Sequence, residues 1–342
     1  MRKKTRYGVQ IALILAFLLG TLTPTGYANT QVPPKMMLIY VDKYVGSSGI
    51  ASYPSYSAAD IDSLLAAGVT DFVLLGGSYQ VYQDSESSYK TQLAVSMANT
   101  ASLIIQRSSL ARIWIGTPGL DSTTPTSSFG TRLTPFKNYL AEVKTLMGAT
   151  NWNNNIQGIY MNGEAIYPAV NYANLLANPQ IALYKNLSTY IHDTLGKEFL
   201  WIPYYGYGAN AAEIIKRIGY VTNSTFGGES IFDIVLLQPH YYFDSTVQSN
   251  LNGVKHSVNN QAISYRDNVI VTPRGTGATV RIGIEMEIDT NYASNTAYQG
   301  RYAEYVSAFS TYLGAQPFAY YAGSRTSVMN GAVLGQIEEF YE

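Results

Sequence analysis

The chain has no cysteine among its 342 residues, so disulfide bridges, thiol nucleophiles and thiolate metal sites are all excluded. Histidine occurs only three times, and His192 and His256 fall in helical surface stretches, which argues against zinc or serine-triad chemistry. There is no G-x-S-x-G elbow, no H-E-x-x-H helix, no phosphate loop and no dinucleotide fingerprint after the first strand. Charge is also scarce: charged residues make up 13% of the chain, against roughly 25% in ordinary soluble domains. Ser, Thr, Asn, Gln and Tyr take their place. Such a surface is polar but weakly ionic and suits neutral hydroxylated polymers. Long apolar runs are missing too, apart from Ile11 to Leu19, which falls short of the roughly 20 residues of a membrane-spanning helix.

That short run sits inside a recognisable leader. Arg2, Lys3, Lys4 and Arg6 form a basic start, Ile11 to Leu19 an apolar core and Gly26-Tyr27-Ala28 a small-residue cleavage site. Residues 1–28 are therefore expected to be a signal peptide, residues 29–35 a linker and residues 36–342 one catalytic domain, in a secreted protein with no stable membrane insertion after cleavage. Removing the leader takes four of the 22 Lys and Arg and none of the 23 acids, leaving 18 against 23, a net charge of −5. A basic footprint for nucleic acid is absent. Without disulfides an exported chain must rely on a large core, and a chain of this size can bury roughly three quarters of its unfolded surface.

Beyond Pro33-Pro34 the sequence alternates strand-like and helix-like segments. Strands are expected at Met36–Tyr44, Asp71–Gly77, Arg112–Thr117, Ile156–Asn162, Phe199–Tyr205, Phe232–Gln238, Thr279–Ile288 and Phe318–Ala322. Helices are expected at Ala58–Ala67, Tyr89–Ser108, Leu133–Met147, Gln180–Leu195, Ala211–Ile218, partly over Thr246–Ser264, then at Ala297–Leu313 and Ser327–Phe340. Ser122–Ser128 reads as a loop, and Asn151–Asn155 as a polar turn around Trp152. Eight alternating pairs predict an α/β fold, a single-domain (β/α)8 TIM-type barrel.

In such a barrel the active site lies where the strands end at their C-termini. The expected strand ends gather acids and aromatics: Tyr40 and Asp42; Asn162 and Glu164; Trp201, Tyr204 and Tyr205; Gln238, His240 and Tyr242; Glu285, Glu287 and Asp289; and Tyr320. The opposite ends, at Met36, Asp71, Arg112 and Phe318, show no comparable gathering. Strand seven is the most informative. Side chains of a strand alternate between faces, so Ile282, Ile284, Met286 and Ile288 pack on one side while Glu285, Glu287 and Asp289 share the other. Glu164 has the strand parity of Tyr160 and Asn162, so it points over the mouth.

Paired carboxylates there are what glycoside hydrolysis requires: a protonated acid for the departing oxygen and a carboxylate for the anomeric carbon or a water. Glu164 is assigned as acid/base and Glu285 as nucleophile, with Glu287 close behind, since parity does not separate those two. Tyr40, Asp42, Asn162, Trp201, Tyr204, Tyr205, Gln238, His240, Tyr242, Asp289 and Tyr320 are the expected substrate-binding residues. The 30 tyrosines, clustered near strand ends, supply flat sugar-stacking faces with polar tips, although many must serve packing. Competing readings are a solvated loop acid at 164, an ion-pair network in which Arg281 offsets part of the strand-seven charge, and a Ca2+ site at Glu285, Glu287 and Asp289, for which the usual loop spacings are missing. No metal or cofactor is expected.

The segments Gly158-Ile159-Tyr160-Met161-Asn162-Gly163-Glu164, Trp201-Ile202-Pro203-Tyr204-Tyr205, Phe232 to Phe243 and Gly283 to Asp289 together resemble the DUF4855 family of secreted bacterial proteins, whose function is unassigned. The resemblance implies a glycosidase-like barrel in a cell-surface or polysaccharide context. In the large glycosidase clan with its acid/base after strand four and its nucleophile at strand seven, an Asn directly precedes the first Glu; here Gly163 intervenes. The expected function is a secreted glycoside hydrolase that cleaves an extracellular or cell-wall polysaccharide by a two-carboxylate retaining mechanism. Its rival is a non-catalytic glycan-binding barrel, and a metal-dependent esterase or deacetylase is a weaker third.

Overall fold

Strand-like runs that return to the same end of a sheet through intervening helices pair in parallel, and a closed ring of them leaves no edge. The computed structural model describes residues 32–41, 43–46, 49–52, 55–76, 87–120, 129–167 and 169–342. The expected leader over residues 1–28, Asp42 and the expected loop Ser122–Ser128 lie outside the described residues.

The barrel strands are β1 (Lys35–Tyr40), β2 (Asp71–Leu75), β3 (Arg112–Gly116), β4 (Ile156–Met161), β5 (Glu198–Trp201), β6 (Ile234–Leu237), β7 (Arg281–Glu287) and β8 (Phe318–Tyr321). Each pairs in parallel with the next, and β1 pairs with β8 to close the ring. The main helices are α1 (Ala58–Ala66), α2 (Ser87–Arg107), α3 (Leu133–Asn155), α4 (Pro179–Tyr190), α5 (Ala211–Asn223), α6 (Ser249–Asn260), α7 (Thr296–Phe309) and α8 (Gly331–Tyr341). Several of their starts follow ordinary capping chemistry. Ser57 and Asp60 form a reciprocal capping box on α1, and the Asn178 side chain accepts from the backbone N–H groups of Gln180 and Ile181 just before Pro179 opens α4.

Alternation divides the apolar residues into two cores. Outward side chains such as Ile39, Phe72, Ile115, Met161, Trp201, Leu237, Ile284 and Tyr320 pack under the helices, and inward ones such as Met36, Val73, Trp114, Tyr160, Leu200 and Leu236 fill the barrel. Trp114 occupies the space that a side chain on the neighbouring strand would need: a Cβ at Gly158 would lie within its ring's contact distance. The indole Nε1 donates to Asp71 Oδ1 at 3.1 Å, and Arg112 meets the same carboxylate at 2.7 Å.

Three expectations are corrected. Strand one ends at Tyr40 instead of reaching Tyr44, because Lys43–Gly46 turns away to pair antiparallel with Gly49–Ser52. The polar run 151–155 is helical: after a break at Gly148, where φ is 72°, α3 resumes and buries Trp152. Arg281 does not offset the charge of Glu285 and Glu287, since it sits at the floor of the barrel and contacts Glu198 at 3.1 Å, as Arg112 meets Asp71 there.

Gly158→Ala should destabilise the fold by about 1–3 kcal/mol, the usual range for forcing an extra group into a packed core. Gly130→Ala, with nothing within 4 Å of the added carbon, should not. Urea unfolding midpoints of the two variants test the pair.

Candidate active site

The β7 backbone places Glu285 opposite Ala319 and Glu287 opposite Tyr321, all on the inner face, while Ile284 and Met286 turn to the helices. Glu285 and Glu287 are 1% and 2% exposed, too little for water to solvate two carboxylates. Glu287 has protein partners. The Tyr305 hydroxyl, carried by α7, donates to Oε2, and His240 Nδ1 stands 3.6 Å from Oε1. Glu285 differs, for its buried Oε1 has no hydrogen-bond partner. Burial pushes the Glu285 carboxyl well above the usual carboxylate range, and the charges of Glu287 and Glu164 push it the same way.

Glu164 reaches the same place from the far side of the ring. Beyond the formal strands the ladder continues: the Tyr204 N–H donates to the Glu164 carbonyl at 2.9 Å, and Tyr204 bridges to Gln238 in parallel. This extension sets the three side chains at one level. Gln238 Nε2 donates to Ile202 O at 2.9 Å and to Glu164 Oε1 at 3.5 Å. The Glu164 carboxyl is raised above its ordinary value: burial, the largest influence, and Glu287 lift it, while hydrogen bonds from Tyr204 and Gln238 and the His240 charge hold it down. Gly163, the residue that separates Asn162 from Glu164, has a packing cause. A Cβ there would lie 2.8 Å from the Tyr184 hydroxyl, and its carbonyl accepts from Trp201 Nε1 at 2.6 Å.

His240 adopts φ 61°, a left-handed backbone that is uncommon for a residue with a side chain. The turn swings its ring back toward Glu287. Burial by itself would lower the ring's pKa, but the hydrogen bond and charge of Glu287, with Asp244 and Glu164, outweigh it and the net shift is upward.

Among the sequence-predicted site residues, the structure therefore brings together Glu164, Glu285, Glu287, Tyr204, Gln238 and His240. Tyr40 lies on the rim with its hydroxyl 3.5 Å from that of Tyr321, and Asn162 reaches the Gly76 carbonyl at 3.5 Å. Three residues face elsewhere. Trp201 stacks on Phe232, the Tyr205 hydroxyl bonds the Ser264 carbonyl, and the Tyr320 hydroxyl meets that of Tyr302 at 2.7 Å, all under the helices. Tyr242 is buried with its hydroxyl 2.9 Å from Asp289 Oδ1, and Asp289 caps the turn Thr290–Ala293. Because Asp289 is engaged there, it does not join the two strand-seven glutamates in a Ca2+ cage; among the described residues no group of three or more His, Asp or Glu has a metal-holding arrangement.

Four residues at the mouth were not among the expected substrate-binding residues. Tyr321 was legible, since it alternates with Tyr320 and shares the inward parity of Ala319. Tyr305, Tyr207 and Phe243 belong to a helix and two loops, where no short-period pattern marks a side chain as facing the mouth.

The raised Glu285 carboxyl fixes the sign of a pH effect. A native state that keeps a proton which the unfolded chain releases loses stability as pH rises from the ordinary glutamate range toward the folded pKa. Glu285→Gln removes this loss. The melting temperature of the variant minus that of the wild type should therefore grow from pH 4 to pH 8, and a constant difference would show that Glu285 ionises normally.

Comparison with known proteins supplies the remaining context. No curated protein matches the chain by sequence. Among solved structures, a GH5-4 broad-specificity endoglucanase from Ruminococcus flavefaciens is similar at 11% identity and TM-score 0.51, over 90% of this chain and 96% of the other. A GH18 chitinase from Pseudoalteromonas aurantia aligns at 12% identity and TM-score 0.44, over 89% of this chain and 99% of the other. A family 51 α-L-arabinofuranosidase from Bifidobacterium longum gives 11% identity and TM-score 0.47, over 91% and 73%. At such identities only the barrel fold is shared. Residues 117–336, more than half of the chain, match the domain of unknown function DUF4855, a span that runs from the end of β3 into α8 and contains all three glutamates of the mouth. The chain belongs to the DUF4855 family.

Proposed function

We propose that this protein is a glycoside hydrolase that acts outside the exporting cell on a polysaccharide, with Glu164 as acid/base and Glu287 as nucleophile. The observation that carries this reading is the unequal treatment of the carboxyls. Glu287 is steadied by a hydroxyl donor and an adjacent imidazole, as a carboxylate that must stay charged would be. Glu164, partly exposed, is held above its ordinary pKa, as a proton donor must be. The same contrast favours Glu287 over Glu285, whose unpartnered, buried oxygen makes it the poorer nucleophile.

In this scheme the Glu164 carboxyl gives its proton to the glycosidic oxygen as the bond to the anomeric carbon breaks. The Glu287 carboxylate bonds to that carbon, forming a glycosyl ester. Water then attacks the same carbon, giving its proton to Glu164 and releasing Glu287, so configuration is retained. Glu287 and Glu164 lie near enough to influence each other's charge.

A polysaccharide panel that includes amino-sugar polymers and peptidoglycan, scored by release of reducing ends, identifies the substrate. On it, Glu164→Gln and Glu287→Gln should each lower kcat by about 10²-fold or more, the contribution of a positioned acid or base. Full activity in either variant sinks the assignment, and saturable binding without new reducing ends selects a glycan-binding barrel instead. Azide added to Glu287→Ala should yield a glycosyl azide of inverted configuration.

A second check uses pH. The hydrogen bond from Tyr204 favours the ionised form of Glu164, so Tyr204→Phe should move the basic limb of kcat/KM to higher pH. A limb that stays in place would separate it from Glu164.

A further inference from the structure

Most tyrosines near the strand ends are buried, but six rings around the mouth keep an exposed part and touch one another in series. Tyr40 meets Tyr321 at 6.4 Å between centroids, Tyr321 meets Phe243 at 6.4 Å, and Phe243 meets His240 at 5.8 Å. His240 then meets Tyr207 at 4.9 Å and Tyr204 at 5.8 Å. The series begins at β1, crosses β8 and ends in the loops after β6 and β5. Its members also touch the acids: Tyr204 bonds Glu164, and His240 faces Glu287. Tyr207, 38% exposed, is the outermost.

The loops that carry the outer rings are fastened from below. Asn250 of α6 is fully buried, and its Nδ2 donates to Gly206 O at 2.9 Å and to Pro239 O at 2.8 Å. Arg266 adds a bond to the same Gly206 carbonyl at 2.6 Å. One amide thus ties the residue before Tyr207 to the residue before His240.

Resting on the hydrolase reading above, we infer that this arc is a preformed platform for several consecutive units of a neutral glycan, with Tyr207 as its outer subsite. Partly exposed rings with polar tips stack on sugar faces while their hydroxyls remain available to sugar hydroxyls. The electrostatics select neutral units. Among the described residues the arc's one ionisable base is His240, which already faces Glu287, so a polyanionic chain would find no free cation in the arc to pair with. A rigid platform that extends away from the acids rewards length, since each added unit gains stacking without ordering new protein.

The test is calorimetry on Glu164→Gln, alone and combined with Tyr207→Ala, using neutral cello-, xylo-, manno- and chito-oligosaccharides of two to six units and oligogalacturonates of matched length. At least one neutral series should tighten with length, and Tyr207→Ala should remove about tenfold of the gain for the longest members while leaving the shortest unchanged. Affinity that does not rise with length, an unchanged Tyr207→Ala variant, preference for the galacturonates, or no binding by any neutral series each overturns the platform. Binding that behaves as expected while the wild type releases no reducing ends would leave the platform standing and remove the hydrolase reading. Hydrolysis that is indifferent to Tyr207 would do the reverse.

Discussion

Two glutamates two residues apart on a strand of a closed barrel have nowhere to go but inward. Period-two alternation puts Glu285 and Glu287 on the same face, and closure of β1 on β8 removes any edge over which they could escape to solvent. Burying a carboxylate without partners costs several kcal/mol, so the surroundings must either bind its charge or remove it. Both solutions appear on adjacent inward positions. Glu287 is bound by the Tyr305 hydroxyl and His240, and burial with its like-charged neighbours pushes the Glu285 carboxyl toward its neutral form. The left-handed turn at His240, the Tyr305 ring reaching in from α7 and the ladder extension that levels Glu164 with Gln238 follow from that first constraint.

The barrel is stratified along its axis as a result. At the floor, acids meet arginines in pairs, Asp71 with Arg112 and Glu198 with Arg281. In the middle, Trp114, Tyr160, Leu200 and Leu236 exclude water from between the two ends. At the mouth the acids have no arginine or lysine among their described partners, only hydroxyls, an amide and an imidazole. A buried carboxylate beside a guanidinium is neutralised and chemically quiet. One flanked by other carboxyls and weak donors keeps a tunable proton, which is the condition under which acid and base roles can be separated.

The eight alternations of strand and helix could be read from the sequence because each rests on a local period, and β7 because its acids and isoleucines alternate without exception. Orientation near strand ends was harder. Trp201 and Tyr320 were expected at the mouth for being aromatic and near a terminus, yet strict parity sends both outward, and parity sends Tyr321 inward. Asp289 shared the parity of the two glutamates, but the strand stops at Glu287 and the chain turns into a cap, so period-two counting no longer applied. Tyr305 lies 18 residues from the carboxylate it serves, on an amphipathic helix where any buried tyrosine looks like packing. Contacts made between elements have no signature within one.

The seam between the two ends of the chain has a kinetic side. Residues 35–40 have one partner in β2, close in sequence, but their other partner is residues 318–321, at the far end of the sequence. Such long-range pairing is slow, since a large loop must close before any contact rewards it. Without β8 between β7 and β1, the strand bearing the acids would be an open sheet edge. The seam that joins the two ends of the chain is thus also what seals the acids from water, and the burial of Glu285 and Glu287 depends on a pairing that no local stretch of sequence can make.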